Sequence, residues 1–159
     1  MNPNLGIDDS QRAELLRILN AVLADEYVLY TKTRNYHWNV VGTQFNDLHK
    51  FFEAQYEQLD AFVDEVAERA RTLGGHASGT LTEFLQQARL LEQPGKYPEA
   101  RGMISALLAD HETLVRQLRQ DVDATANKYG DVGTSDFLTG LLEKHEKMAW
   151  MLRAFITTA

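Results

Sequence analysis

Residues that break helices are nearly missing from this chain. Proline occurs only at Pro3, Pro94 and Pro98, and Gly42 is the sole glycine between Gly6 and Gly74. Proline removes an intrahelical donor and glycine weakens a helix interior, so their scarcity permits long uninterrupted helices. Asp8 with Gln11 forms a capping box for a first helix to about residue 39, and Leu15, Leu16, Leu19, Val22 and Leu23 recur at helical spacing. Gly42 is placed to end it as a left-handed cap. A second helix is expected over about 43–73, where Leu48, Phe52, Tyr56, Leu59, Phe62 and Val66 belong to one apolar stripe. Gly74, Gly75 and Gly79 close it, and Thr80 with Glu83 opens a short helix expected to reach about residue 92. After a turn over 93–98, two more long helices are expected over about 98–128 and 134–156. The pattern predicts an all-α four-helix bundle: two hairpins joined by a crossover that carries the short helix.

A chain of 159 residues with 44% hydrophobic content fits a single domain over 1–159. Cysteine is absent, which excludes disulfide frameworks, thiolate metal sites and cysteine nucleophiles. No basic or apolar run opens the chain and no stretch is long and apolar enough for a membrane span, so a cytoplasmic location is expected. Sixteen basic against 23 acidic residues give a net charge of −7, which opposes a phosphate backbone. Basic patches are conceivable only locally, around Lys32 and Arg34 or Arg116 and Arg119, because the first seven and last six residues carry no lysine or arginine.

Chemistry concentrates between residues 37 and 68. His37 and His49 flank the Gly42 turn, and Glu53, Asp64 and Glu68 follow on the second helix. Imidazole and carboxylate together are the ligand set of a borderline-to-hard transition metal such as iron. On a helical wheel His49, Glu53, Asp64 and Glu68 fall near 0°, 40°, 60° and 100°, so they share a face. Along the axis, however, Asp64 lies roughly 16 Å from Glu53 and roughly 22 Å from His49. One ion cannot span that distance. Positions 49 and 68 and positions 53 and 64 are centred on the same point, between Gln58 and Leu59. An antiparallel copy of the helix crossing there sets His49 against Glu68 and Glu53 against Asp64, giving two equivalent metal sites about a twofold axis. Glu57 and Asp60 share the face and the centring, so the arithmetic does not separate them from the ligand set. Carboxylates four apart on one face also destabilise a helix slightly, and a cation is the simplest neutraliser.

Other metal chemistries are missing. No glutamate has a histidine three residues later, as a bundle-core di-iron centre requires. His111-Glu112 lacks the second histidine of a zinc hydrolase helix, and there is no phosphate-cradling glycine loop or serine elbow. Taken singly, His76 and His111 read as surface or hydrogen-bonded residues.

The run His37-Trp38-Asn39-Val40, then Gly42, Phe45, His49, Glu53, Asp64-Glu65-Val66-Ala67-Glu68-Arg69 and Leu73-Gly74-Gly75 closely resembles the Dps family of small ferritin-like proteins. Similarity continues through Gly130-Asp131, Asp136, Lys144-His145 and Met148-Ala149-Trp150-Met151, so it covers nearly the whole chain. The resemblance implies a ferritin-like fold and a ferroxidase centre with two irons between twofold-related subunits. His37, His49 and Glu53 would come from one subunit, Asp64 and Glu68 from its partner, with Glu68 bridging. The family commonly has aspartate where Glu53 stands. It further implies a hollow dodecamer that oxidises Fe(II) with hydrogen peroxide or oxygen, stores ferric mineral and protects against oxidative stress. An acidic iron-uptake pore would involve Asp131 and Asp136, with Asp121 and Asp123 as further candidates. Tyr36 and Trp38, beside His37, are placed either to pack or to intercept stray oxidising equivalents. DNA condensation is the family's second activity, and the net charge of −7 argues against it here.

Overall fold

A computed structural model describes residues 3–157, and all its regular structure there is helical. The helices are α1 (Asp9–Asn39), α2 (Phe45–Thr72), α3 (Leu81–Gln87), α4 (Ala100–Asp123) and α5 (Val132–Ile156). α1 packs along α2 and α4 along α5, while α3 lies against α1 in the crossover. Both expected capping boxes form. Asp8 accepts the Gln11 N–H at 2.8 Å, and Thr80 accepts the Glu83 N–H at 3.3 Å. One core runs through the bundle, with Leu15, Leu19, Val22 and Leu29 of α1 against Leu48, Phe52 and Leu59 of α2 and Leu107, Leu114 and Leu138 of the second hairpin. Each such buried side chain stabilises the fold by about 1.5–3 kcal/mol. Among the described residues, no helix is long and apolar enough to cross a membrane.

Helix ends depart from expectation where tertiary contacts claim the backbone. α3 stops at Gln87 rather than near residue 92, because Asp25 of α1, 0% exposed, takes the next donors. Its Oδ1 accepts the Arg89 N–H at 2.5 Å and the Leu90 N–H at 3.0 Å, and its Oδ2 accepts Arg89 Nε at 2.7 Å. Arg89 continues to Asp121 of α4 at 2.7 Å, and Lys32 joins the Leu91 carbonyl to Asp110, so the crossover is tied to both hairpins. α1 ends because Val40 turns extended with its side chain buried. Gly42 follows two residues later at φ +114°, and is not the left-handed cap. At the end of α2, Gly74 does take the left-handed region, and Gly74 and Gly75 return their N–H groups to Arg71 and Ala70. α4 begins at Ala100 and widens after Asp123 into a π-helical turn over Ala124–Lys128. α5 starts two residues earlier than expected because Asp131 caps it, accepting from the Gly133 and Thr134 N–H groups.

Candidate metal centre

The last turn of α1 lies against the first turns of α2, and there His37 and His49 meet. Their rings stack with centroids 3.8 Å apart and planes inclined by 21°. His37 Nδ1 lies 2.8 Å from the His49 carbonyl and His49 Nδ1 lies 2.9 Å from the His37 carbonyl. The His37 carbonyl is free for this because carbonyls in a helix's final turn have no intrahelical donor. A carbonyl oxygen only accepts, so both Nδ1 atoms carry protons and donate. In the neutral imidazole the lone pair then resides on Nε2. Backbone carbonyls fixing the tautomer in this way are the usual support of metal-bound histidine. Neither Nε2 has a hydrogen-bond partner among the described residues.

Glu53 follows one turn after His49 and is half-buried. It accepts a long hydrogen bond from the Tyr56 hydroxyl at 3.4 Å. Tyr56 presents its ring edge to His37, with centroids 5.2 Å apart. Burial, and then the charge of Glu53, push the Tyr56 phenol above its ordinary range. Arg34 sits over the rings of Tyr56, Trp38 and Tyr30 at 5.1, 5.3 and 5.4 Å, and donates to the Tyr30 hydroxyl at 2.5 Å.

Asp64 and Glu68 stand elsewhere, about three and four turns beyond Glu53 along α2. Both are exposed and have no hydrogen-bond or ion-pair partner among the described residues, as is also true of Glu57 and Asp60. Among the described residues, no group of three or more histidine, cysteine or acidic side chains within one protomer is arranged to hold a metal ion. The protomer thus brings the two imidazoles together at one end, places Glu53 one turn from His49 on the Tyr56 hydroxyl, and leaves the remaining carboxylates further along α2.

The other candidates divide clearly. Asp131 is committed to capping α5 and to Arg69 at 3.2 Å, and Asp121 to Arg89. Burial raises the Asp131 carboxyl, but hydrogen bonds from Thr134 and the Arg69 charge outweigh it and hold the group below the usual range. Asp136 is exposed, and Asp123 is exposed and accepts from Asn127. Trp38 is 64% exposed beneath Arg34, whereas Tyr36 is buried below the crossover and is not among the rings touching His37. Sequence reasoning passed over Tyr56, Tyr30 and Arg34. The spacing of Tyr30, Arg34 and Trp38 at successive fourth positions was the available signal. It also passed over a wholly buried cluster in the bundle interior. There His145 Nε2 meets Glu26 at 2.7 Å and His145 Nδ1 meets His111 Nδ1 at 3.0 Å.

Comparison with known proteins agrees with this architecture. The ferritin-like domain family model matches residues 16–159. A low temperature-induced protein of Nostoc sp. is 51% identical over 153 residues, covering 96% of this chain and 86% of that protein. DNA protection during starvation protein 2 of Bacillus anthracis is 39% identical over 144 residues, covering 90% of this chain and 97% of its own length. The crystal structure of the Dps protein of Vibrio cholerae O1, described as a member of a broad superfamily of ferritin-like diiron-carboxylate proteins, superposes with a TM-score of 0.90 at 34% identity, covering 99% of this chain and 98% of that one. With its two-hairpin bundle, its short crossover helix and these matches along nearly its full length, the chain belongs to the ferritin-like family and, within it, to the Dps proteins.

Proposed function

We propose that the protein is a Dps-type ferroxidase that oxidises Fe(II) at sites shared between two copies of the chain. The observation that carries this reading is the reciprocal latch of His37 and His49, which readies two Nε2 lone pairs without supplying the acids to complete a site. Those acids stand unpaired on the same helix, and an antiparallel copy crossing between Gln58 and Leu59 brings Asp64 and Glu68 of one chain to His37, His49 and Glu53 of the other. The imidazoles give Fe(II) enough affinity to load, and the hard carboxylate oxygens favour the Fe(III) product. Two irons deliver two electrons to one hydrogen peroxide, which with two protons becomes two water molecules. No hydroxyl radical is released. The family reading extends to a hollow dodecamer, in the cytoplasm, that stores ferric mineral. Exposed Asp136 and Asp123 are the carboxylates free to draw cations toward a pore, since Asp131 and Asp121 are engaged.

Anaerobic titration followed by peroxide tests the reading. Two Fe(II) oxidised per peroxide are expected, and the double variant Asp64→Ala, Glu68→Ala should lose this stoichiometry while remaining helical. Iron bound and oxidised by that variant as by the parent protein would refute the shared site. A role in covering DNA is disfavoured by the net charge of −7 and by the engagement of Lys32 with Asp110 and of Arg119 with Glu146. A gel shift at low salt separates the two.

A further inference from the structure

The rings beside the histidine pair go beyond what a ligand set needs. Tyr56 is the only tyrosine among the described residues whose ring contacts His37, and its hydroxyl points to Glu53. Tyr30 lies edge-on to Tyr56 with centroids 6.2 Å apart, and Tyr27 is 5.9 Å beyond. Arg34 covers both Tyr30 and Tyr56, which binds the three side chains into one cluster. A cation over an aromatic face disfavours a positive charge on the ring, so a tyrosine oxidised here must lose its proton together with its electron. The two phenols then differ. The Tyr30 oxygen accepts from Arg34, a guanidinium that cannot take a proton and holds electron density on the phenol. The Tyr56 hydroxyl carries only the long contact to Glu53, so its hydrogen can leave.

We propose that Tyr56 is a redox-active residue that supplies the second electron when only one Fe(II) has loaded. The inference rests on the ferroxidase reading. Peroxide needs two electrons, and a half-loaded site offers one, so cleavage of its O–O bond by Fe(II) leaves a hydroxyl fragment. The Tyr56 O–H bond breaks, and its hydrogen atom joins that fragment as water. One Fe(II) and one tyrosine are oxidised, and one peroxide with one added proton becomes two water molecules. The next Fe(II) to arrive returns an electron, and with a proton restores the phenol. Half-loaded sites thus release no hydroxyl radical. Tyr36 and Trp38, the ring-bearing neighbours of His37 in sequence, give way to a residue nineteen positions away that the helix pairing brings in.

The test loads the protein anaerobically with less than one Fe(II) per site, adds peroxide and freezes the sample for electron paramagnetic resonance. A tyrosyl radical is expected in the parent protein. It should be lost in Tyr56→Phe, which keeps the ring against His37, while trapped hydroxyl radical increases in that variant. At two Fe(II) per site, where iron supplies both electrons, neither protein should yield trapped hydroxyl radical. A radical that persists in Tyr56→Phe, or is absent from a parent protein that still oxidises two Fe(II) per peroxide, overturns the assignment and leaves the ferroxidase intact. Failure of the parent protein to bind or oxidise Fe(II) overturns both. Retention of the radical in Tyr30→Phe supports seating on Tyr56, and its loss there moves the assignment to Tyr30.

Discussion

Two histidine pairs occupy this molecule, and they are built to opposite ends. His37 and His49 lie beside the turn of the first hairpin, donate both Nδ1 protons to backbone carbonyls, and keep their Nε2 atoms unspent. His111 and His145 lie in the bundle interior, 0% exposed, where they spend their hydrogen-bonding capacity on each other and on Glu26, also 0% exposed. Inside the core an unmet polar group costs stability, so the sequence closes that cluster nearly to completion. Only Glu26 Oε2 and His111 Nε2 remain without a protein partner there. Beside the hairpin turn an unmet lone pair is what a metal ion would use. The same side chain is thus a structural or a ligating element according to which of its nitrogens the surroundings consume.

The largest effect that separates the two pairs should come from the interior. Glu26→Ala leaves the His145 Nε2–H without an acceptor in a dry core, and breaking a buried pair of this kind costs about 3–5 kcal/mol. Chemical denaturation should report that loss, while the folded fraction binds Fe(II) as before. Loss of iron binding without loss of stability would mean the interior cluster takes part in the chemistry. The complementary substitution, His49→Ala, should lower Fe(II) affinity by about 100-fold or more, since even displacing a ligand's supporting contact costs 10–100-fold. Its effect on stability should stay near 1 kcal/mol, the usual worth of one hydrogen bond. Anaerobic calorimetry and a thermal melt together decide whether that division holds.

A pH series sharpens the contrast further. His111 is held well below the ordinary histidine range, first by burial and then by His145 beside it. The unfolded chain, titrating near pH 6.5, therefore takes up this proton before the folded one does. Stability from His111 is complete above about pH 6.5 and is lost as the pH falls toward the depressed folded value. His111→Asn should flatten that acid limb of the stability curve, by about 1 kcal/mol for each pH unit it no longer crosses. A variant whose acid limb keeps the parent slope would place the responsible group elsewhere.

The same contrast shows which parts of the molecule can be read from sequence. Helix starts were legible because a capping box is local: Asp8 with Gln11 and Thr80 with Glu83 both formed. The end of α3 was not, because Asp25 captures Arg89 and Leu90 across 64 and 65 residues. His37 and His49 could be paired since they flank one turn. His145 and Glu26 are 119 residues apart, and no periodicity within a helix announces such a meeting. Tyr56 was counted with the apolar stripe, a fair reading of a ring whose polar end only a neighbour can reveal. Gln55, buried between Phe52 and Leu59 with no protein partner for either polar atom, breaks that stripe, and neither the sequence nor its contacts give a physical account of it.

Glu53 is where the smallest effect is expected and where the ligating pair is tested most finely. Its carboxylate reaches from half-buried surface, one turn from His49, on a side chain one methylene longer than aspartate. In Glu53→Asp the oxygens withdraw by about one bond length, and the contact with the Tyr56 hydroxyl, already 3.4 Å, should be lost. Because His37 and His49 are latched to backbone carbonyls rather than to Glu53, their tautomers do not depend on it. Fe(II) affinity should therefore change by less than about tenfold, equivalent to 1.4 kcal/mol. A much larger loss would show that Glu53 orders the imidazoles as well as binding beside them, and that the latch does not stand alone.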